Sequence, residues 1–303
     1  MILCCGEALI DMLPVQDGTA FAPHTGGAVF NTAIALGRLG APTSFFSGLS
    51  ADFFGDMLRA RLADAGVDAS PCVTAARPCT LAFVRLVAGQ ATYAFYDENT
   101  AGRLLTEADL PSVTAKACFF GGISLVAEPC GGAYEAMMGR ARAAGAVTMI
   151  DPNIRPGFIQ NEAAYRARLG RMLAMADIVK LSVEDLGWLA RGDGEGFVQG
   201  LIAGGTALVL VTDGGKGATA VSARHRVVEP ARRVAVVDTV GAGDTFNAGV
   251  LASLSTAGLL SRAGLAALDE SAIRAALRLG SAAAAVTVSR AGANPPWAGE
   301  IQP

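Results

Sequence analysis

Short apolar runs alternate with longer segments of helical period along most of the chain. The runs are rich in Val, Ile and Leu without polar alternation, a pattern typical of strands buried on both faces. They predict strands over residues 2–5, 43–47, 117–120, 147–150, 178–181 and 207–212. The Ala-, Leu- and Arg-rich segments predict helices over residues 28–39, 55–65, 131–144, 163–175, 243–255 and 273–288. Strands joined by helices favour a doubly wound α/β fold, a mainly parallel sheet flanked by helices on both faces.

One region near the start does not follow this alternation of strands and helices. Residues 81–87 and 91–96 alternate with period two, and residues 88–90 between them supply the turn of a hairpin. A second extended, proline-containing stretch lies near residues 12–25. Together with the hairpin region, near residues 78–100, it predicts a small β-sheet lid. Such a lid would lie over the carboxyl ends of the parallel strands, where open α/β sheets bind ligands.

The composition is that of a single folded domain over residues 1–303. Hydrophobic residues make up 52% of the chain and charged residues only 17%, so a disordered chain is excluded. The formal net charge is −3, which leaves no basic excess for a phosphate backbone and excludes nucleic acid as a partner. An anionic ligand must therefore be held locally, by backbone N–H groups and a few cations.

Neither the start of the chain nor its apolar runs predict membrane targeting. The N-terminus lacks a basic segment and carries Glu7 and Asp11, unlike a signal peptide. No apolar run approaches the roughly 18 residues that a membrane span needs. The six cysteines show no metal-site spacing, and we expect them to be reduced core residues of a cytoplasmic protein. His24 and His225 are far apart in the sequence, which argues against a zinc enzyme.

The strongest local motif is the glycine-rich segment 237–249. An apolar run over residues 233–237 is predicted to be a strand that enters a turn at Gly241 and Gly243, and a helix follows. Free N–H groups at that helix start can bind an anion. Asp244 would repel a phosphate, unless it takes the proton of an attacking hydroxyl while the N–H groups stabilise the transferring phosphoryl group. An Asp that merely caps the helix explains this segment equally well.

Other nucleotide and hydrolase motifs fit less well. The Gly215-Lys216 pair is not followed by the Ser or Thr of a Walker A loop. Residues 215–220 match the G-x-G-x-x-A dinucleotide pattern, but the residues after them read as strand rather than helix. An NAD-linked oxidoreductase is therefore disfavoured. Neither a G-x-S-x-G elbow nor an H-E-x-x-H helix is present to support a hydrolase.

A second glycine pair opens the predicted helix at residues 28–39. Gly26 and Gly27 allow a ligand to approach closely, and Asn31, one turn later, could aim its amide at a ligand hydroxyl. The alternative is a glycine-rich helix entry with an exposed Asn, and this segment alone favours that alternative.

Taken together, the two glycine segments resemble the two signatures of the ribokinase-like (PfkB-type) carbohydrate kinases. The Gly26-Gly27…Asn31 segment resembles the first signature and residues 238–246 resemble the second. Further segments fall in the order of the family: residues 7–11, 151–156, 180–185, 211–217 and 290–295. The resemblance implies a ribokinase-like fold and a kinase that uses ATP and Mg²⁺, and it also suggests a K⁺ ion.

The resemblance also implies roles for individual residues. Asp244 would be the catalytic base, with anion-hole N–H groups from Gly241, Ala242 and Gly243. The sugar contacts would come from Asp11, Gly26, Gly27, Asn31 and Arg155. The nucleotide side would comprise Lys180, Thr212, Gly214 and Gly217. The water-mediated Mg²⁺ contacts would come from Ser182, Glu184 and Asp185, where this chain has S-x-x-D in place of the family's N-x-x-E, and K⁺ would lie beside Asp238 and carbonyls of residues 290–292.

The substrate expected from the resemblance is D-fructose, phosphorylated on a hydroxymethyl group, because residues 121–129 and 151–159 look like bacterial fructokinase sequences. One alternative is a 2-keto-3-deoxygluconate kinase or another sugar or nucleoside kinase of the family. A lid-side carboxylate site for that alternative could come from Arg85, Arg103, Tyr93 and Tyr96. A non-catalytic sugar sensor is a further alternative. In this family β lids often pair between subunits, so a homodimer is also expected.

Overall fold

A computed structural model describes residues 1–15, 18–87 and 90–301. Its strands are β1 (Ile2–Cys5), β2 (Leu9–Pro14), β3 (Phe21–Gly26), β4 (Thr43–Phe46), β5 (Gly48–Ser50), β6 (Val73–Ala75), β7 (Leu81–Val87), β8 (Gln90–Tyr96), β9 (Ala117–Gly121), β10 (Val147–Asp151), β11 (Ile178–Ser182), β12 (Leu208–Thr212), β13 (Ala218–Val221) and β14 (Arg226–Glu229). Its helices are α1 (Ala28–Arg38), α2 (Phe53–Asp64), α3 (Cys130–Ala143), α4 (Glu162–Met175), α5 (Val183–Ala190), α6 (Gly194–Ala203), α7 (Ala242–Thr256), α8 (Arg262–Ala266) and α9 (Glu270–Val288).

An eight-stranded sheet forms the centre, in the order β14-β13-β12-β11-β10-β9-β1-β4. The six strands from β12 to β4 pair in parallel, and β13 and β14 complete one edge as antiparallel strands. The predicted mainly parallel sheet is therefore confirmed. Since parallel strands share a direction, their carboxyl ends meet along one edge of the sheet, where the loops that carry the motifs emerge.

Each face of the sheet has its own apolar core. In β1, Ile2 and Cys4 point to one face and Leu3 and Cys5 to the other, as the period of a strand requires. Helices α1, α2, α7 and α9 cover the first face, and α3, α4, α5 and α6 cover the second. Burial on both sides explains why these strands are continuously apolar, and it confirms the doubly wound arrangement.

A second, four-stranded sheet forms the small β layer that the alternating segments predicted. Its order is β3-β2-β7-β8, with β2 parallel to β7 and the other pairs antiparallel. We call it the lid sheet. Two of the three residues predicted as the hairpin turn, 88 and 89, lie outside the described residues, and the third, Gln90, already belongs to β8.

The prediction of a strand over residues 233–237 is wrong. This segment lies outside the strands, and three of its valines are exposed: Val234, Val236 and Val237. The segment follows the edge strand β14, and among the described residues no strand pairs with it. The N–H groups of Val237 and Asp238 instead donate to the carbonyl of Val288, at 2.8 and 3.2 Å, where α9 ends.

The cysteines mostly follow expectation. All six are free thiols, and five are buried, but Cys72 is only half-buried. Burial raises the pKa of Cys118 and of Cys79 to about 12, so these thiols stay protonated and unreactive. Within the described residues, no helix has the length and apolar character of a transmembrane segment.

Candidate active site

Polar side chains collect where the parallel strands end. Glu7 follows β1, Asp151 is the last residue of β10, Ser182 ends β11 and Thr212 ends β12. Helices α1 and α7 both begin beside this edge, and the side chains of their first turns are in contact. Two helix N-termini, each with unpaired N–H groups, thus border one polar cluster.

The turn before α7 depends on glycine. Gly241 has φ +77°, in the left-handed region, and a Cβ on it would lie 2.8 Å from the Cβ of Ala293. The helix starts directly after it, so the N–H groups of Gly243 and Asp244 belong to the first turn and have no acceptor within the helix. Together they can bind an anion. The sequence assigned this role to Gly241, Ala242 and Gly243, but the N–H of Ala242 already donates to the carbonyl of Thr239 at 3.3 Å.

Asp244 lies in this first turn and is only 7% exposed. The side-chain amide of Asn31 donates to its Oδ2 at 2.9 Å, and the Thr32 hydroxyl donates to its carbonyl oxygen at 3.2 Å. Burial raises the pKa of Asp244 to about 7; Asp151 and Glu7 also raise it, while Asn31 and Lys180 lower it. A carboxyl group with that pKa can accept a proton near neutral pH.

A buried ion pair lies beneath the same turn. The Lys180 ammonium donates to Asp151 Oδ2 at 2.9 Å, and the Asn247 amide donates to the same oxygen at 2.7 Å. All three residues are at most 4% exposed. Burial disfavours the charged form of Lys180, but Asp151 outweighs it and leaves the pKa of Lys180 raised. The ammonium predicted on the nucleotide side is therefore held inside the molecule, on the Asp244 side of β11.

The entry to α1 is fixed by Glu7. Its Oε1 accepts the N–H of Ala28 at 2.9 Å and its Oε2 accepts the N–H of Ser124 at 3.3 Å. Gly27 has φ +111°, and a Cβ there would lie 2.8 Å from the carbonyl oxygen of Glu7. Only glycine lets the chain turn this closely past Glu7, and the turn places Asn31 against Asp244.

Asp11 lies in β2, at the root of the lid sheet. Gly26, on the neighbouring strand, leaves the space that the Asp11 carboxylate fills, because a Cβ on Gly26 would collide with Oδ2. Burial raises the pKa of Asp11 to about 6. The two residues predicted to contact sugar thus sit against each other, between the lid and the start of α1.

Arg155 is exposed on the loop that follows β10, and its guanidinium donates to the neighbouring carbonyl of Ile154 at 3.1 Å. Three residues later on this loop, Phe158 packs against Phe95 of the lid sheet, with ring centroids 4.8 Å apart. This aromatic contact therefore joins the loop to the lid sheet. Asp151 also bonds the loop, accepting the N–H of Asn153 at 3.2 Å.

The predicted nucleotide loop follows β12. Gly214 and Gly217 have φ +45° and +110°, and a Cβ on Gly217 would collide with the carbonyl oxygen of Glu229. The chain then enters β13 directly. The helix that a dinucleotide-binding G-x-G-x-x-A segment requires is thus replaced by a strand, which contradicts the oxidoreductase alternative. Thr212, half-buried, lies at the start of this loop.

The residues predicted near Mg²⁺ differ in their exposure and in their hydrogen bonds. Asp185 is buried and accepts from the N–H of Ile154 and from the N–H and hydroxyl of Ser182, at 2.7–2.9 Å. The Ser182 hydroxyl also caps α5. Glu184 is exposed in the same first turn. Across the ranges that the structure describes, no three His, Cys, Asp or Glu side chains form a ready metal cage.

Asp238, predicted beside K⁺, connects two loops. Its carboxylate accepts the N–H of Val240 at 3.0 Å and the N–H of Gly292 at 2.9 Å. It thereby fixes the segment before Gly241 to the segment after α9, which carries the carbonyls of residues 290–292. The two halves of the predicted cation site are adjacent.

Three site residues were not selected from the sequence: Glu7, Asp151 and Asn247. Each lies within a motif segment, but motif similarity does not tell which of its polar residues face inward. Two signals could have found them. Asp151 directly follows a predicted buried strand, and Asn247 follows Asp244 by three residues, on the same face of the helix.

Comparison with known proteins gives a consistent result. A family model described as pfkB family carbohydrate kinase matches residues 1–298. A fructokinase of Rhizobium leguminosarum bv. trifolii is 54% identical, over 90% of this chain and 86% of that protein. The structure of a Xylella fastidiosa fructokinase with bound ATP has a TM-score of 0.91 and 34% identity, covering 96% of this chain and 93% of the other. A Vibrio cholerae fructokinase bound to fructose, ADP and a calcium ion has a TM-score of 0.84 and 25% identity, covering 96% and 94%.

Proposed function

The chain belongs to the pfkB family of carbohydrate kinases, and from that premise we propose that it is a fructokinase. It transfers the γ-phosphoryl group of ATP to a hydroxymethyl group of D-fructose. The observation that carries the proposal is the buried Asp244 at the N-terminus of α7, held by Asn31. A base and an anion site occupy one helical turn, which is the combination that phosphoryl transfer to an alcohol needs.

The reaction follows from that geometry. Asp244 accepts the proton of the sugar hydroxymethyl as its oxygen attacks the γ-phosphorus and forms the new O–P bond. The bond from the γ-phosphorus to the bridging oxygen of ADP breaks, and ADP leaves with that electron pair. The free N–H groups of Gly243 and Asp244, at the start of α7, would face the charge on the transferring group. At neutral pH a sufficient fraction of Asp244 is ionised to act as the base, given its pKa of about 7.

Fructose is the favoured sugar because similar proteins, at up to 54% identity, are fructokinases. Asp11 and Asn31 offer a carboxylate and an amide for paired hydroxyl groups, and Gly26 and Gly27 let the sugar approach the backbone. The alternative with a carboxylate substrate gains little support from Arg103, because Asp97 already pairs with that guanidinium at 3.4 Å. The side chains of Arg85 and Tyr93 lie outside the described residues, and Tyr96 is exposed.

The nucleotide is proposed to lie along Thr212, Gly214 and Gly217, whose backbone forms an open glycine loop beside the anion site. Mg²⁺ would enter with the phosphates and keep several waters, since this ion is usually held by one or two carboxylates together with substrate phosphates. Glu184 fits that role through its exposure, with Ser182 and Asp185 behind it. When bound, Mg²⁺ would neutralise phosphate charge. K⁺, if used, would lie beside Asp238.

We also propose that the lid sheet pairs with that of a second copy. Phe21, Phe83 and Tyr96 form an aromatic row on this sheet, with ring centroids 5.1 and 5.6 Å apart. Phe21 is 41% exposed and Tyr96 60% exposed. Pairing would bury this row and brace the lid over the sugar, where it excludes water that would otherwise hydrolyse ATP.

The substrate assignment is tested by measuring ADP release with Mg²⁺ and ATP on four acceptors: fructose, 2-keto-3-deoxygluconate, ribose and adenosine. We expect fructose to give a kcat/KM at least tenfold above each of the others. A higher value on one of the other three would keep the mechanism and overturn the choice of sugar. ATP binding with no turnover on any acceptor would favour the non-catalytic sugar sensor.

A further inference from the structure

A charged pair that the proposed reaction does not use lies directly behind its base. Lys180 on β11 and Asp151 at the end of β10 form an ion pair of 2.9 Å, with side chains 5% and 3% exposed. Helix α7 also contacts the pair, because its Asn247 donates to the same Asp151 oxygen at 2.7 Å. Ion pairs this deeply buried carry a desolvation cost, so their presence beside a reacting group points to a function.

Two details show that the sequence accommodates the ammonium at this place. A Cβ on Gly243 would lie 3.2 Å from Lys180 Nζ, so the glycine that opens the anion site also leaves room for the cation beneath it. Asn247 aims its amide nitrogen at Asp151, and its Oδ1 is buried with no hydrogen-bond donor. A buried amide oxygen without a donor costs stability, so Asn247 holds Asp151 in place at that expense.

We infer that Lys180, fixed by Asp151 and Asn247, is a positioning residue whose buried charge controls whether Asp244 is ionised. The inference rests on the proposed role of Asp244 as the base. Without Lys180, the negative charge of Asp151 would act on the buried Asp244 with no cation beside it, and a like charge favours the protonated form of a carboxyl group. The ammonium offsets the effect of Asp151 on Asp244, so that Asp244 can gain and lose its own proton.

The groups facing Asp244 come from four elements. Asn31 on α1 donates to it, Glu7 lies in the loop after β1, Asp151 ends β10, and Lys180 lies on β11. Glu7 and Asp151 raise the pKa of Asp244, and Lys180 lowers it. Removing each member of the ion pair should therefore move the titration of Asp244 in opposite directions. A purely structural role of the pair does not produce opposite signs.

The experiment follows the side-chain amide resonance of Asn31 by nitrogen–proton NMR as a function of pH. Because this amide donates to Asp244, its shift reports the charge of Asp244 without requiring activity. In the native chain we expect a midpoint near 7. Lys180→Met should raise the midpoint by about one unit and Asp151→Asn should lower it by about one unit. The double variant should return close to the native value.

Asp177→Asn is the matched control. Asp177 is also buried and also bonds β10, accepting the N–H of Thr148 at 2.9 Å, but at the opposite end of the sheet. In the Asp177→Asn variant, the Asn31 resonance should titrate with the native midpoint. Midpoints of Asp151→Asn and Lys180→Met that stay unchanged, or that move in the same direction, overturn the inference. If Lys180→Met does not fold, a lower midpoint in Asp151→Asn alone still supports the inference. An unchanged midpoint in Asp151→Asn still overturns the inference.

The same titration separates this inference from the proposed function. Asp244→Asn must abolish the Asn31 titration, which shows that the resonance reports Asp244. If the titration behaves as expected while Asp244→Asn turns over sugar normally, then the base assignment fails and the electrostatic coupling stands. If Asp244→Asn is inactive but the ion-pair variants leave the midpoint in place, the coupling alone fails.

Discussion

Asp244 destabilises the fold at the pH where its proposed role as the base requires it to be ionised. It is buried, with its charged form stabilised by one amide donor and one cation, and its pKa lies near 7 rather than 3.8. A carboxyl group with a raised pKa binds its proton more tightly in the folded than in the unfolded state. Its contribution to stability is therefore largest at low pH and is lost as the pH rises from about 4 to about 7.

Asp244→Asn should accordingly stabilise the protein at alkaline pH. The amide stays neutral and keeps a polar partner for Asn31, so at pH 8.5 the variant should be more stable by about 2–4 kcal/mol. At pH 5 both side chains are uncharged in the folded state, and the difference should shrink to about 1 kcal/mol or less. Urea unfolding at the two pH values measures this. An equal stability difference at both values would contradict the burial of an ionising carboxyl group.

At this scale the sequence predicted which residues gather at the candidate site, but not the contacts between them. Asp244, Asn31 and Gly241 stand in motifs whose residue types imply chemistry. That Asn31 bonds Asp244 was not predictable, because the two residues lie on separate helices that only the folded sheet brings together. Nor was Lys180 recognised as a partner of Asp151, since a lysine in an apolar strand gives no sign of which neighbour neutralises it.

Among the elements, the two helices that begin at glycine turns define the site. Gly27 and Gly241 both have positive φ, and each turn places the first residues of a helix at the carboxyl edge of the sheet. The 3.6-residue and two-residue periods predicted these helices and the lid hairpin to within a few residues. The apolar run at residues 233–237 was misleading because β-type composition does not guarantee a neighbouring strand.

The lid sheet is the element that should join two copies. Replacing both exposed aromatics, Phe21→Asp with Tyr96→Asp, places charge on the proposed interface and should convert a dimer into a monomer in sedimentation velocity. The KM for sugar should rise about threefold or more, because an unbraced lid closes less often on its ligand. KM for ATP should change little.

Phe53→Asp is the control for that change, since Phe53 is 66% exposed outside the lid sheet, at the start of α2. It should leave both the sedimentation coefficient and the KM values unchanged. A native chain that sediments as a monomer, or a Phe21 and Tyr96 double variant that remains dimeric, contradicts pairing through the lid.

At the scale of the whole molecule, attraction of the nucleotide depends on charges placed at the site and not on the net charge. A net charge of −3 does not attract a nucleotide, so the attraction must come from helix N-termini and from cations placed at one edge of the sheet. The fold class and this edge follow from the order of strands and helices. The identity of the sugar does not follow from that order. Recognition of its hydroxyl groups would depend on side-chain positions in the lid sheet and α1, which only the assembled sheets define.

The kinetic effect of Asp244→Asn tests the central claim most directly. Steady-state ADP release with fructose should show kcat reduced by about 10²–10⁴-fold, the usual contribution of a general base. KM for ATP should stay within about twofold of the native value, because the anion-site N–H groups remain in place. A kcat within about tenfold of the native enzyme would contradict the assignment of Asp244 as the base and, with it, the proposed mechanism.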